Sequence, residues 1–276
     1  MENIRQAIER AKSGPIRPSR QHDARIFPAR REPAPTADRA SPHDPATREN
    51  VVDPRHLLAR RIIAHDKADP RSRPFDMLRT QVLRAMDLKG WHILGVTSPT
   101  PGCGKTVTAL NLALSIVRQP DRSVLLADMD FRKPQIADYL GLDCDHGMLS
   151  LLEGRTELAD ALVDARIANY RLGVLPTETA TSHSSELMSS GAMAALLQQI
   201  KRDYESRTVI LDLPPVLSGD DVLAILPQLD CVLLVVAVGM STKSEIEDCA
   251  RHLQATEVIR VVVSKSSEPN AKDYYY

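Results

Sequence analysis

The sequence predicts an α/β protein with a mostly parallel sheet and helices on both faces. Three observations predict it. Short aliphatic runs alternate with helix-period segments from about residue 75 onward. The runs are rich in Val, Ile and Leu, as strands covered on both faces must be. Polar residues fall where the runs end, and open parallel sheets bind ligands beyond those ends. Aromatics are only 4% of the chain against 43% apolar residues, so the core must be aliphatic. A length of 276 residues suits one such domain with appendages.

Residues 2–12 have weak helical character. Residues 13–55 carry prolines at 15, 18, 28, 33, 35, 42, 45 and 54 and few apolar side chains. Such a segment cannot bury enough surface to offset its ordering entropy. A disordered, Pro-rich arm is therefore expected over residues 1–60. It is basic, with 13 Lys+Arg against 8 Asp+Glu over residues 1–61. The charges are mixed rather than blocked, which favours a solvated arm over a nucleic-acid-binding one.

A folded domain is expected over 61–264. Residues 75–88, FDMLRTQVLRAMDL, have apolar side chains at helical spacing behind Pro74. Strands are expected at 91–98, 123–130, 171–177, 208–213, 231–238 and 258–264, and helices at 105–118, 191–204 and 243–255. The alternation implies right-handed βαβ crossovers. Residues 265–276 read as a polar tether tipped by Tyr274, Tyr275 and Tyr276.

Composition narrows the function classes. Cys103, Cys144, Cys231 and Cys249 form no CxxC pair and have no His cluster beside them, so a reducing cytoplasm without a structural metal is expected. The first residues lack the apolar stretch of a signal peptide. The longest apolar run, Cys231–Val238, is too short to span a bilayer. A cytoplasmic chain is expected, with any membrane role supplied through a partner.

Three segments carry chemistry. SPTPGCGKT, 98–106, follows a strand and opens a helix, the context of a phosphate loop (P-loop). Glycines there let the backbone approach phosphate oxygens, and the helix N-terminus adds positive potential. Pro101, Gly102, Cys103, Gly104, Lys105, Thr106 and Val107 are the expected nucleotide contacts. Lys105 would bridge phosphates and the Thr106 hydroxyl would ligate Mg²⁺. Pro99 stands where the general pattern has glycine, and Thr100 stands where partitioning ATPases of the ParA/MinD type carry an extra lysine. Cys103 sits beside a helix N-terminus and a lysine, a setting that can activate a thiol, although a small residue filling the turn explains it more simply.

The second segment is LLADMDFRKP, 125–134. Asp128 and Asp130 sit two apart at a strand end, so strand alternation would put both on one face. Carboxylates beside a phosphate loop hold Mg²⁺ or accept a proton from an attacking hydroxyl. The third is VILDLPPVLSGDD, 209–221, in which Asp212 ends an apolar strand as a Mg²⁺-associated carboxylate does.

Together with the terminal tyrosines, these three motifs resemble the bacterial tyrosine kinases (BY-kinases) of polysaccharide export. They are similar to the stand-alone cytoplasmic CpsD/CapB type of exopolysaccharide and exosortase-linked loci. The likeness covers about residues 75–240 and the tail, with LRT at 78–80, SSELMSS at 184–190 and VGMST at 238–242 agreeing. The resemblance implies a P-loop NTPase fold that uses ATP and Mg²⁺ to phosphorylate its own Tyr274, Tyr275 and Tyr276. It assigns Lys105, Asp128, Asp130, Asp212 and Arg132 to catalysis, with Thr106, Asp128 and Asp212 at the metal. Asp130 would be the base toward tyrosine, and Arg132 would orient carboxylates or phosphates. It implies a membrane-bound chain-length regulator as activator, recruitment to the membrane's inner face, an opposing tyrosine phosphatase, and a possible homo-oligomer. The family's E-x-x-R-x-x-R ring-docking pattern is altered here to Arg73, Asp76 and Arg79, and Ser264-Lys265 replaces an Asn-Lys pair near the base. A ParA/MinD-like ATPase switch and a non-catalytic ATP-binding regulator of an export complex are the alternatives.

Overall fold

The computed structural model describes residues 48–203 and 207–266. The expected helix at 2–12, most of the expected arm, and Tyr274, Tyr275 and Tyr276 lie outside the described residues. The chain runs through β1 (Arg48–Val51), α1 (Pro54–Ala59), α2 (Arg73–Lys89), β2 (Ile93–Thr97), α3 (Lys105–Val117) and β3 (Val124–Asp128). Short helices α4 (Ile136–Leu140), α5 (Met148–Leu152) and α6 (Leu158–Ala161) follow. Next come β4 (Val163–Ile167), β5 (Tyr170–Leu175), α7 (Ser184–Met188), α8 (Gly191–Asp203) and β6 (Thr208–Asp212). The domain closes with α9 (Asp221–Ile225), β7 (Cys231–Ala237), α10 (Lys243–His252) and β8 (Glu257–Ser264).

The strands form one sheet in the order β1-β4-β5-β3-β6-β2-β7-β8. Every neighbouring pair is parallel except β4 with β5. Side chains alternate across it, so each strand serves two cores. Leu94, Val96, Leu126, Ile210, Leu233 and Val235 pack on one face with α2 and α3. Ile93, Leu125, Val209, Leu211, Val232 and Leu234 pack on the other with α8, α9 and α10. The two-faced, mostly parallel architecture is as the alternating pattern predicted.

The start of the domain differs from the expectation. Residues 48–60, expected in the arm, form β1 and α1. Strand β1 pairs with β4, Asp53 caps α1 by accepting the Arg55 N–H at 2.8 Å, and Val52 and Leu57 are buried in the α2/α3 core. Strands β1 and β4 give no signal in the sequence, because RENV and VDARI carry charge and show no apolar run. In β4, Asp164 is buried in an ion pair with Arg171 at 3.0 Å.

Helix α2 is clamped to α3 through charge. Asp76 Oδ1 accepts from Ser115 Oγ at 2.6 Å and from the Nη1 atoms of Arg79 and Arg118 at 3.1 Å each. Two of the three charges at the altered docking pattern are therefore engaged inside the chain. The sheet register then sets the functional end. Asp128 of β3 lies opposite Asp212 of β6, and Val96 of β2 opposite Asp212 on its other side. Segment 98–106 leaves β2 beside both. Among the described residues no helix is long and apolar enough to cross a membrane.

Candidate functional site

The 98–106 loop is shaped by its glycines. Gly102 and Gly104 take φ of +82° and +88°, a region costly for any residue with a Cβ. Surrounding groups tie down its carbonyls. Val216 N–H donates to Ser98 O, Leu217 N–H to Pro99 O, Ser98 Oγ to Thr100 O and Ser264 Oγ to Cys103 O. With these four carbonyls engaged, the N–H groups of residues 102–106, which donate to no loop carbonyl among the described residues, are available to a ligand. They stand at the start of α3, where the helix dipole is positive.

Just inside the loop, Lys105 Nζ lies 2.9 Å from Asp130 Oδ2 and 3.5 Å from Asp212 Oδ2. Thr106 Oγ1 donates to Asp212 Oδ2 at 2.6 Å. Elements from β2, β3 and β6 thus bring Lys105, Thr106, Asp130 and Asp212 together, and all four are buried. Asp128 is handled differently from its neighbour. Its Oδ2 accepts the N–H groups of Gln135 and Ile136 at 2.8 and 2.9 Å, and its Oδ1 accepts that of Asp130 at 3.2 Å. It braces the 129–136 loop from beneath, while Asp130 reaches Lys105.

Burial dominates the electrostatics. It pushes the Asp128 carboxyl up to about 7, helped by the Asp212 charge and opposed by the Ile136 and Gln135 N–H groups and by Lys105. Burial also raises Asp212, against the pull of Lys105 and the Thr106 hydroxyl. For Lys105 burial acts downward, but the Asp212 and Asp130 carboxylates outweigh it and the lysine is held above its ordinary value. Three carboxylates therefore share one lysine, and the site wants more positive charge.

Asp212 Oδ1 is buried with no hydrogen-bond partner. An orphaned carboxylate oxygen beside a threonine hydroxyl is an all-oxygen donor set suited to a hard cation such as Mg²⁺. Among the described residues no three His, Cys, Asp or Glu side chains gather closely enough to hold an ion by themselves. An ion here would need further oxygens from a ligand, as Mg²⁺ held with a polyphosphate has.

The space for that ligand is a cleft of about 350 Å³ lined by Gly102, Gly104, Lys105, Thr106, Val107 and, from α4, Tyr139. A more apolar groove of about 630 Å³ shares Gly104 and Val107 with it and runs between Phe75 and Leu78 of α2 and Val261 and Val263 of β8.

Two expected residues sit elsewhere. Arg132 makes its polar contacts with α7 and α9. Its Nε donates to Ser184 Oγ at 2.9 Å and its Nη2 pairs with Asp221 at 3.0 Å. It fastens the 129–136 loop to α7 and α9 rather than orienting the carboxylates. Cys103 is fully buried, its Sγ 3.5 Å from Ser241 Oγ and 3.7 Å from Thr100 Oγ1, so it fills the turn from behind. The supporting roles of Asp221, Ser184 and Ser264 escape sequence reasoning, because single polar residues carry no spacing signal for such contacts.

Residues 92–265 match the family described as AAA domain. A relative named putative tyrosine-protein kinase EpsB, from Ralstonia solanacearum, is 32% identical over 222 residues, covering 80% of this chain and 28% of its own length. The chain thus spans under a third of the length of that relative. Among solved structures, the chimerical protein CapA2B2 superposes with a TM-score of 0.68 at 27% identity, over 75% of this chain and 90% of that one. The kinase domain of Escherichia coli tyrosine kinase ETK gives 0.64 at 27% identity, over 74% of this chain and 80% of that one.

Proposed function

The chain belongs to the AAA domain family, among the bacterial tyrosine kinases, and on that premise we propose that it transfers the γ-phosphate of ATP to its own Tyr274, Tyr275 and Tyr276. The observation that carries this reading is the cluster of Lys105, Thr106, Asp130 and Asp212 at the mouth of the glycine loop, with one carboxylate oxygen unsatisfied.

Each residue has a task that follows from its surroundings. The loop N–H groups and Lys105 hold the phosphates and the charge that develops on them. Lys105 is now paired with carboxylates, so nucleotide entry exchanges one anionic partner for another. Thr106 and Asp212 would hold Mg²⁺, which supplies charge neutralisation between the phosphates when bound. Asp130, at the surface side of the cluster, accepts the tyrosine proton as the phenolic oxygen bonds to the γ-phosphorus and ADP leaves. Asp128 keeps the loop carrying Asp130 in place and adds negative charge near the metal position. Arg132 acts on the same loop through Ser184 and Asp221.

The tail begins beside the cleft, since Ser264 braces the phosphate loop and Lys265 lines the cavity. A tether of that kind raises the local concentration of its tyrosines, at its own site or a neighbour's. Each phosphotyrosine adds about −1.5 to −2 charges, enough to change an interface. A membrane-bound chain-length regulator as activator, recruitment to the inner membrane face, a phosphatase and control of exopolysaccharide export complete the proposal.

The test is tyrosine phosphorylation of the purified full chain incubated with Mg·ATP. Label that disappears in Lys105→Met and in a chain ending at residue 273 supports the proposal. Phosphate release to water without tyrosine label would instead make the protein an ATPase switch. Absence of both would make it a regulatory module.

A further inference from the structure

Among the described residues three non-glycine positions have positive φ: Arg61 at 62°, Ala168 at 53° and Lys265 at 55°. Two of the three are basic, and both line the cleft at the phosphate loop and the groove beside it. A side-chain-bearing residue persists in this region only where its surroundings over-determine it, and such positions concentrate at functional sites.

The surroundings of Arg61 do over-determine it. Buried Asn111, on α3, donates from Nδ2 to Arg61 O at 3.1 Å. Asn111 Oδ1 accepts the N–H groups of Ile63 and Ala64 at 2.8 and 2.9 Å. Arg61 N–H donates to Leu58 O, Ile62 N–H to Leu57 O, and Ile62 is fully buried. Residues 61–64 are thus stapled to the helix that the phosphate loop opens.

The side chain is the unexplained part. Arg61 is exposed and forms no ion pair among the described residues, whereas adjacent Arg60 pairs with Asp138 at 2.9 Å. Across the cleft, Lys265 Nζ lies 3.0 Å from the Met240 sulfur and forms no ion pair among the described residues. Lys105 is already met by Asp130 and Asp212, but Arg61 and Lys265 line the same cavity with no carboxylate partner among the described residues, two cationic side chains that an entering anion would draw together.

We propose that Arg61 is a phosphate-binding residue, delivered in cis to the nucleotide cleft by the segment joining α1 to α2. The proposal rests on the nucleotide reading above. A guanidinium suits the role because its planar fork pairs with phosphate oxygens.

The test compares full-length wild type, Arg61→Gly and Arg61→Lys by calorimetric titration with Mg·ATP, alongside thermal melting. Glycine adopts a φ of +62° freely, so Arg61→Gly removes the side chain while relaxing the backbone. Its melting temperature should equal or exceed that of wild type, while its affinity for Mg·ATP falls about tenfold, as loss of one charge-assisted contact implies. Arg61→Lys should recover most of the affinity. Unchanged affinity in Arg61→Gly would overturn the proposal. So would a joint fall in affinity and melting temperature that lysine does not rescue, since that marks a purely structural role. Wild type that fails to bind Mg·ATP would overturn the nucleotide reading itself, a separate result.

Discussion

Two charge clusters sit at opposite ends of α3 and differ in what they leave undone. At the C-terminal end one carboxylate, Asp76, is shared by Arg79, Arg118 and the Ser115 hydroxyl. The surplus there is positive, which suits the end of a helix. At the N-terminal end one lysine serves Asp130 and Asp212, with Asp128 close enough to act on it as well. That surplus is negative, it is deeper, and it includes the orphaned Asp212 Oδ1. The first cluster joins α2 to α3 with the chain's own groups. The second leaves a carboxylate oxygen without a partner, and under the proposed function a cation and a nucleotide complete it. Buried charge of the first kind builds structure, and of the second kind builds a site.

The comparison breaks first at Lys105. Lys105→Met should cut tyrosine labelling at least about a hundredfold, because both phosphate binding and the site's one internal cation are lost. A phosphotyrosine assay at matched protein concentration checks this. Asp212→Asn should separate the clusters by sign: it removes excess negative charge from the site, so the ligand-free protein should melt higher than wild type. A lower melting temperature would mean that Asp212 is structural, like Asp76. Asp76→Ala should do the reverse. It should cost about 2 kcal/mol in urea unfolding while nucleotide affinity of the folded protein stays unchanged.

The smallest effect is in pH. The folded-state pKa of Asp128 is raised from 3.8 to about 7. Its contribution to stability is therefore fully present below the unfolded value and is lost as pH rises toward 7. The melting temperature of ligand-free Asp128→Asn, relative to wild type, should climb between about pH 5 and pH 7 and then level off. A difference independent of pH would show that Asp128 keeps its ordinary acidity.

Much of the fold and of the site is legible in the sequence itself. Lys105, Thr106, Asp130 and Asp212 are marked by their position at strand ends and beside a glycine turn, and the fold brings them into one cluster of ion pairs and hydrogen bonds. The six strands expected from aliphatic runs lie within two residues of those observed, since such runs report burial on two faces directly. Strands β1 and β4 are illegible because they carry charge in place of an apolar run: β1 is held by β4, more than a hundred residues on, and β4 by its hairpin with β5 and the Asp164–Arg171 ion pair. The split between Asp128 and Asp130 is also hidden. Strand alternation puts both on one face, but the strand ends at Asp128, and Asp130 lies in the turn beyond. Arg61 gives no sign of its role, because nothing local tells that Asn111, fifty residues on, holds its backbone.

The most direct measurement is calorimetric titration of the ligand-free protein with ATP, with Mg²⁺ present and with Mg²⁺ chelated, in wild type and Asp212→Asn. The account predicts tight binding by wild type with Mg²⁺, much weaker binding without it, and a Mg²⁺ effect largely erased in Asp212→Asn. Equal affinity with and without Mg²⁺ in wild type would contradict it, because the unsatisfied carboxylate would then have no cation to wait for.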